Sequence, residues 1–386
     1  MTNLFFKSAF LAAAMSAIAV SCAKDSNPAK EPSTPSPEVK TDTVIYAIGQ
    51  EIVPDTTHYY AIVWKDGKRH KLTDGKHDGF CNGIYADGGD IYVVGCEGIG
   101  DLFDDGYYDP YNLNVGILWK FKAGEEDKAD KTILSDGKYA TSPLAVTKAE
   151  NDIYIAGFDT PVYDRRAILW KNDKPTYLTD GTTDALAYCI TSSGEDVYVG
   201  GYIQPAENKK GGKAVIWKNG VPQYLTDGTS TIAKVTAIAI DNGKVYAAGT
   251  ERNSEGRWRG VLWTDGQATY FTDYEGTEVS AIHVKDGHWT ISGNKTNADG
   301  NIVVCVWSDG KETVIEGKGY LDCQGIGLAV VGDDIYVGGN ETTFDSYYNA
   351  INHAYLWKNG EEQTLEADNH DDMSIWGITA AYVPIE

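Results

Sequence analysis

Positive charge is scarce in this sequence: 33 Lys and Arg stand against 56 Asp and Glu, a formal net charge of −23 at pH 7. A body so anionic repels phosphate backbones and anionic lipid, which argues against nucleic acid as a partner and against direct membrane binding by the globular part. Cysteine is thin as well. After Cys22 only Cys81, Cys96, Cys189, Cys305 and Cys323 remain, an odd and unevenly spaced set that is no disulfide framework. One pair carries an expectation. With Gly88-Gly89 as a two-residue hairpin turn, Cys81 falls directly opposite Cys96, either as a cross-strand disulfide or as two small buried side chains. No long amphipathic helical pattern follows the first 20 residues, and neither a nucleophile elbow nor an HExxH pair occurs.

What is present begins with an address. Lys7 supplies a positive start, Ser8 to Ala19 an apolar run too short to span a bilayer, and Ala19-Val20-Ser21-Cys22 a small-residue cleavage site. That site resembles the lipobox of bacterial lipoproteins, which implies a signal peptide over 1–21, lipidation of Cys22 and a place in the cell envelope, on the outer membrane. Residues 22–40 are rich in Pro, Ser, Lys and Glu and read as a flexible tether. Without the signal the net charge moves from −23 to −24, since Lys7 is its one charged residue. The folded part is expected over 41–386.

Repeats settle the architecture expected there. A tryptophan-centred strand recurs as IVWKDG, ILWKFK, ILWKND, VIWKNG, VLWTDG, CVWSDG and YLWKNG, with Trp64, Trp119, Trp170, Trp217, Trp263, Trp307 and Trp357 spaced 44 to 55 residues apart. Upstream of each lies a short run ending in Gly, such as DIYVVG or KVYAAG. Downstream lies a phrase that reads LTDG in units 1, 3 and 4 and LSDG in unit 2. A fourth run, such as VTAIAI or GIGLAV, has the small apolar residues of a strand near a crowded axis. Asp-Gly or Asn-Gly after the tryptophan strand predicts a type I′ hairpin, because both central residues need positive φ. Four antiparallel strands at this period resemble the blade of a β-propeller, which implies an all-β, seven-bladed ring. The folded part starts at a second strand and ends with a first strand, so the last strand is expected to complete the first blade. The WKNG and LTDG phrases look like those of propeller lipoproteins from Gram-negative gut bacteria. The phrase Ser308-Asp309-Gly310-Lys311-Glu312-Thr313 is similar to the Asp-box of sialidase-type propellers, where that motif is structural.

We name the strands A, B, C and D, with the tryptophan on C. Alternate connections of an up-and-down blade share an end, and the B-to-C loops are long and unlike one another, so the face they share with the D-to-A loops is the expected working face. Its aromatic sector comprises Tyr59 and Tyr60, Tyr107, Tyr108 and Tyr111, and Tyr347 and Tyr348. These rings either meet a ligand or pack the loops. Blades 3 to 5 are more basic, with Arg257 and Trp258 in a run that suits carboxylated or sulfated ligands, or that is simply solvated. His58, His77, Asp78, His370, Asp371 and Asp372 gather imidazoles and carboxylates that could hold a divalent metal or act as acid and base, with solvated loop ends as the alternative. No motif calls for a cofactor. The Asp of each LTDG phrase reads as a turn former rather than a calcium ligand.

Three functions compete at this point. The first is capture of a glycan or an envelope protein through the loop face. The second is a carbohydrate-active enzyme, a glycosidase or lyase, whose acid and base come from the His/Asp set or from Asp105 and Glu97. The third is a structural role for the propeller within an envelope complex.

Overall fold

The computed structural model describes residues 41–98, 114–161, 164–204, 211–228, 232–272, 276–315, 322–344, 350–367 and 372–384. They form seven four-stranded antiparallel sheets. In blade 1 the order is Met373–Pro384, Thr41–Ile52, Tyr59–Lys65, Lys68–Lys71, so the last strand of the chain is the A strand of the first blade. The other six run A, B, C, D in sequence, with A strands Gly79–Asp87, Ala140–Ala149, Ala185–Ser193, Ile232–Asp241, Glu278–Lys285 and Asp322–Val331. Neighbouring A strands touch all the way round and enclose a central cavity of about 250 Å³. The seven-bladed propeller, closed by its final strand, is therefore the fold.

Each repeated phrase has a physical cause. At the C-to-D hairpins Asp66, Asn219, Asp265, Asp309 and Asn359 sit at φ of 46° to 52° and the following glycines at 81° to 84°, the type I′ pattern. The same Asp or Asn side chain then reaches back to its own B strand. Its Oδ1 accepts from Ile45 N (2.9 Å) in blade 1, Val197 N (2.8 Å) in blade 4 and Ile335 N (2.8 Å) in blade 7. The lysine of WKN pairs with the aspartate that opens the B strand, Lys171 with Asp152 and Lys218 with Asp196 at 2.7 Å, and lies over the tyrosine two residues on. The DIY and WKNG phrases are thus two halves of one contact. In LTDG the threonine hydroxyl accepts a C-strand amide, as Thr73 does from Ala61 N (3.0 Å) and Thr179 from Ala167 N (3.1 Å). The aspartate caps its own turn: Asp74, Asp136 and Asp180 accept from the amide two residues on at 2.9 to 3.1 Å.

The glycine that ends every B-strand phrase answers to a bulge. All seven A strands shift register by one residue, at Asn82, Leu144, Tyr188, Thr236, Ser280, Ile326 and Trp376. At each shift the A-strand carbonyl closes on the B strand, and a Cβ on Gly49, Gly95, Gly157, Gly201, Gly249, Gly293 or Gly339 would collide with it. This bulge also corrects the cysteine expectation. The Gly88-Gly89 turn forms, yet beyond Asn82 the register places Cys81 opposite Gly95 and Cys96 opposite Phe80. Cys81, Cys96, Cys189, Cys305 and Cys323 are all buried thiols that form no disulfide with one another.

The seven C-strand tryptophans are between 0% and 4% exposed and fill the junctions between blades. Two of them also donate into the preceding blade, Trp64 to Glu366 O (2.8 Å) and Trp170 to Leu134 O (3.0 Å). By area each ring contributes roughly 4 to 6 kcal/mol of transfer free energy, an upper bound. The closing blade has one more fastening. The single 3-10 turn among the described residues, Glu126–Lys128, lies in the C-to-D connection of blade 2 and buries Glu126 against blade 1. There the carboxylate accepts from Tyr46 Oη and Gly124 N, both at 2.7 Å, with Lys65 Nζ 3.4 Å away.

Candidate functional site

With the repeated residues occupied in holding the ring, function has to sit where equivalent positions differ. Two such positions meet on the loop face. One follows the B-strand glycine and is Gln50, Cys96, Phe158, Tyr202, Thr250, Asn294 or Asn340 in blades 1 to 7. In blades 6 and 7 it stitches the junction to the next A strand: Asn294 Oδ1 accepts from Gly325 N and Asn340 Oδ1 from Ile375 N, both at 2.7 Å. In blade 4 the side chain is Tyr202, whose hydroxyl donates to the Asp184 carboxylate and accepts from Arg165 Nη2 (2.9 Å).

The second position lies five residues before the blade tryptophan. It is Tyr59, Asn114, Arg165, Gly212, Trp258, Ile302 or Asn352. Blade 4 alone has glycine there, and a Cβ on Gly212 would already lie 3.2 Å from the Tyr202 ring and 3.8 Å from Ile232. The missing side chain leaves a recess of about 280 Å³ between blades 4 and 5, lined by Asp184, Tyr188, Tyr202, Gln204, Gly212, Ile232, Lys234 and Trp258. Tyr188, the bulged residue of its A strand, stacks on Tyr202 with ring centroids 6.1 Å apart and an interplanar angle of 27°. Trp258 opens the C strand Trp258–Thr264 and forms part of the wall.

Electrostatically the recess has one settled charge and one loosely held one. Arg165 donates to Asp184 through Nε (2.8 Å), Nη2 (2.6 Å) and its backbone N (3.0 Å). Burial alone would raise the Asp184 carboxyl, but the hydrogen bonds from Arg165 and Tyr202 outweigh it and hold the group below its ordinary range. Burial pushes the hydroxyls of Tyr188 and Tyr202 up, so both are neutral donors at pH 7. Among the described residues the ion pair of Lys234 is to Glu278, at 3.7 Å.

The residues expected from the sequence fall in different places. Trp258 is in the recess. Arg257 is exposed beside Glu255 (3.7 Å) and does not line it. Tyr60 is partly buried against the core, covered by Lys71 Nζ 3.9 Å from its ring centroid. Tyr59 donates to Asp372 Oδ2 (2.5 Å) and packs against Phe80 at 6.1 Å. Cys22, Tyr107, Tyr108, Tyr111, Tyr347, Tyr348, His370 and Asp371 lie outside the described residues, as does Asp105. His58 Nδ1 is 3.6 Å from Asp78 Oδ1, and His77 Nδ1 is buried without a hydrogen bond. Among the described residues no group of three or more His, Cys, Asp or Glu comes together as a metal site.

A signal missed in the sequence explains much of that His/Asp set. Asp78, Asp184 and Asp372 each stand one residue before an A strand, and each accepts the amide of the variable C-strand position: Tyr59 N (3.0 Å), Arg165 N (3.0 Å) and Asn352 N (3.3 Å). Asp78 and Asp372 are therefore loop latches at their junctions. Their recurrence at three blade boundaries is what a careful alignment of the repeats would have exposed. Glu97 is likewise tied, to Lys131. The central cavity offers little chemistry, since its walls carry no charged group and its Tyr188 and Cys189 are both pushed up by burial.

No protein-family model matches the chain, and no curated protein matches it. Among solved structures it is similar to the β-propeller domain of the Trilobed protease from Pyrococcus furiosus, at 11% identity and a TM-score of 0.49, over 86% of this chain and 99% of that one. It is also similar to an acylaminoacyl peptidase from Pyrococcus horikoshii (15% identity, TM-score 0.39), over 88% of this chain and 63% of the peptidase. A third is an ulvan lyase of a polysaccharide lyase family (12% identity, TM-score 0.35), covered over 89% and 91% respectively. Likeness at this level carries nothing about substrate.

Proposed function

We propose that this chain is a cell-envelope lipoprotein, tethered through Cys22 and the 22–40 segment, whose propeller captures a glycan in the recess between blades 4 and 5. The observation that carries the reading is the recess itself: two stacked tyrosines and a tryptophan around a site opened by Gly212. Flat rings with a hydroxyl or N–H at the edge suit the apolar face and polar rim of a sugar. A volume of 280 Å³ falls just under the roughly 300 to 1,000 Å³ of ligand pockets, which fits one ring better than a chain. Capture without turnover is favoured because Asp184 is held ionised by Arg165 and is the one carboxylate among the described lining residues.

The test is a glycan-array screen of the full-length protein beside Gly212→Trp and Trp258→Ala. Saturable binding by the wild type that both substitutions abolish is the expected result. Binding that survives Gly212→Trp would move the site elsewhere on the loop face. An array with no hit would leave an envelope protein as the ligand.

A further inference from the structure

The lysine of the recess specifies the ligand further, on the premise that a glycan binds there. Lys234 lies on the A strand of blade 5 two residues before the bulge, and its side chain is 21% exposed. Its one described ion pair, to Glu278, is at 3.7 Å, beyond hydrogen-bond reach, and that carboxylate is 57% exposed and well solvated. Lysines of similar burial elsewhere in the ring behave differently. Lys148, at 23% exposure, holds Asp87 at 2.6 Å, and Lys295, at 12%, makes direct contact with Glu312. Asp184 cannot take up the Lys234 ammonium, because Arg165 and Tyr202 already occupy its oxygens.

We infer that the sugar in this recess is a chain-terminal ring bearing an anionic substituent, received by the Lys234 ammonium while the ring lies against Trp258 and Tyr188. A partly buried ammonium gains a charge-assisted hydrogen bond from such a group, whereas a neutral ring offers it only weaker, uncharged acceptors. Because Asp184 is neutralised by Arg165, no uncompensated negative charge among the described lining residues opposes the anion. The whole chain is acidic, so selectivity must come from this short-range contact and not from long-range attraction.

The experiment is titration calorimetry on the full-length protein with the methyl glycosides of glucuronic, galacturonic and mannuronic acid, each against its neutral parent, with glucose 6-sulfate as a separate arm. At least one uronide should bind about tenfold or more tighter than its neutral parent. That preference should shrink as NaCl rises from about 50 to about 500 mM. Lys234→Gln should abolish the preference by weakening the uronide far more than the neutral sugar, and Lys234→Arg should retain it. Equal binding of the 6-sulfate would mean that any anion on the ring is read, and weaker binding that a carboxylate is. Neutral sugars that bind as well as every uronide, or a Lys234→Gln variant with unchanged preference, overturn the inference while leaving glycan capture intact. If no sugar of either kind binds, or Gly212→Trp changes nothing, the recess reading fails first and this one with it.

Discussion

The glycines that close the B-strand phrases and the glycines of the hairpin turns look alike in a sequence, but they are required for different reasons. Gly249 has no room for a Cβ, because the Lys234 carbonyl occupies that space at the bulge. Gly287 has open space around it and is needed only for its φ of +82°. Gly249→Ala should therefore cost about 3 kcal/mol or more. Gly287→Ala should cost only about 1 to 2 kcal/mol. Urea midpoints of the two variants check this, and equal losses would mean that the bulge relaxes around a methyl group. At this scale the sequence was readable for which residues recur and silent about why. The aspartate of DIY and the lysine of WKN could each be seen to repeat, but not that they pair across two strands. The bulge, one unpaired residue in a run of small side chains, leaves no mark except the glycine opposite it. That is why the strict alternation from Gly88-Gly89 put Cys81 and Cys96 face to face when they are one residue out of step.

Among the elements, the 3-10 turn of blade 2 makes the clearest energetic claim. Burial works to raise the Glu126 carboxyl, but hydrogen bonds from Tyr46 and Gly124 and the nearby Lys65 prevail and hold it below the ordinary range. A carboxyl depressed in the folded state stabilises the fold above its unfolded value, and that contribution is lost as pH falls through the folded value. Tyr46→Phe should cost about 1.5 to 3 kcal/mol at pH 7, the range for a hydrogen bond to a charged group. The gap from the wild type should narrow as the pH drops below about 4. Denaturant midpoints at pH 7 and pH 3.5 measure it, and a difference independent of pH would mean that the phenol matters for packing alone. Strand order, hairpin types and the tryptophan strands were all legible beforehand, because each is written in local residues. This turn was not, since its meaning depends on Tyr46, 80 residues away along the chain.

For the molecule as a whole, closure by Met373–Pro384 is the feature on which the ring depends. Its A strand pairs with Thr41–Ile52 along nearly its whole length and packs against the A strands of blades 2 and 7. A chain ending at Asp372 should lose its cooperative thermal transition by circular dichroism. A sharp transition at an unchanged temperature would show that six complete blades hold the ring by themselves. The outer rim needs protection too, because every D strand is a free edge. Pro175 and Pro222 remove a ladder donor from two of these edges, while Lys68 to Lys71 and Glu361 to Glu362 charge two others. The candidate site was only partly readable at this scale. Trp258 stood out as an aromatic in a basic loop, but Gly212, Tyr188 and Lys234 come from three stretches with no shared motif and meet only when blade 4 meets blade 5.

Gly212 also says something about how such proteins change over generations. The position it occupies exists in every blade, and only in the fourth is it glycine. The repeated phrases do not include that position, and its side chain takes a local role in some blades only, as Tyr59, Arg165 and Asn352 do against the latch aspartates. One codon change at Gly212 would put a side chain into this hollow, where a Cβ already comes within 3.2 Å of the Tyr202 ring. A lineage built on this scaffold can therefore open or close this junction at a single position while the phrases that build the ring stay under separate selection.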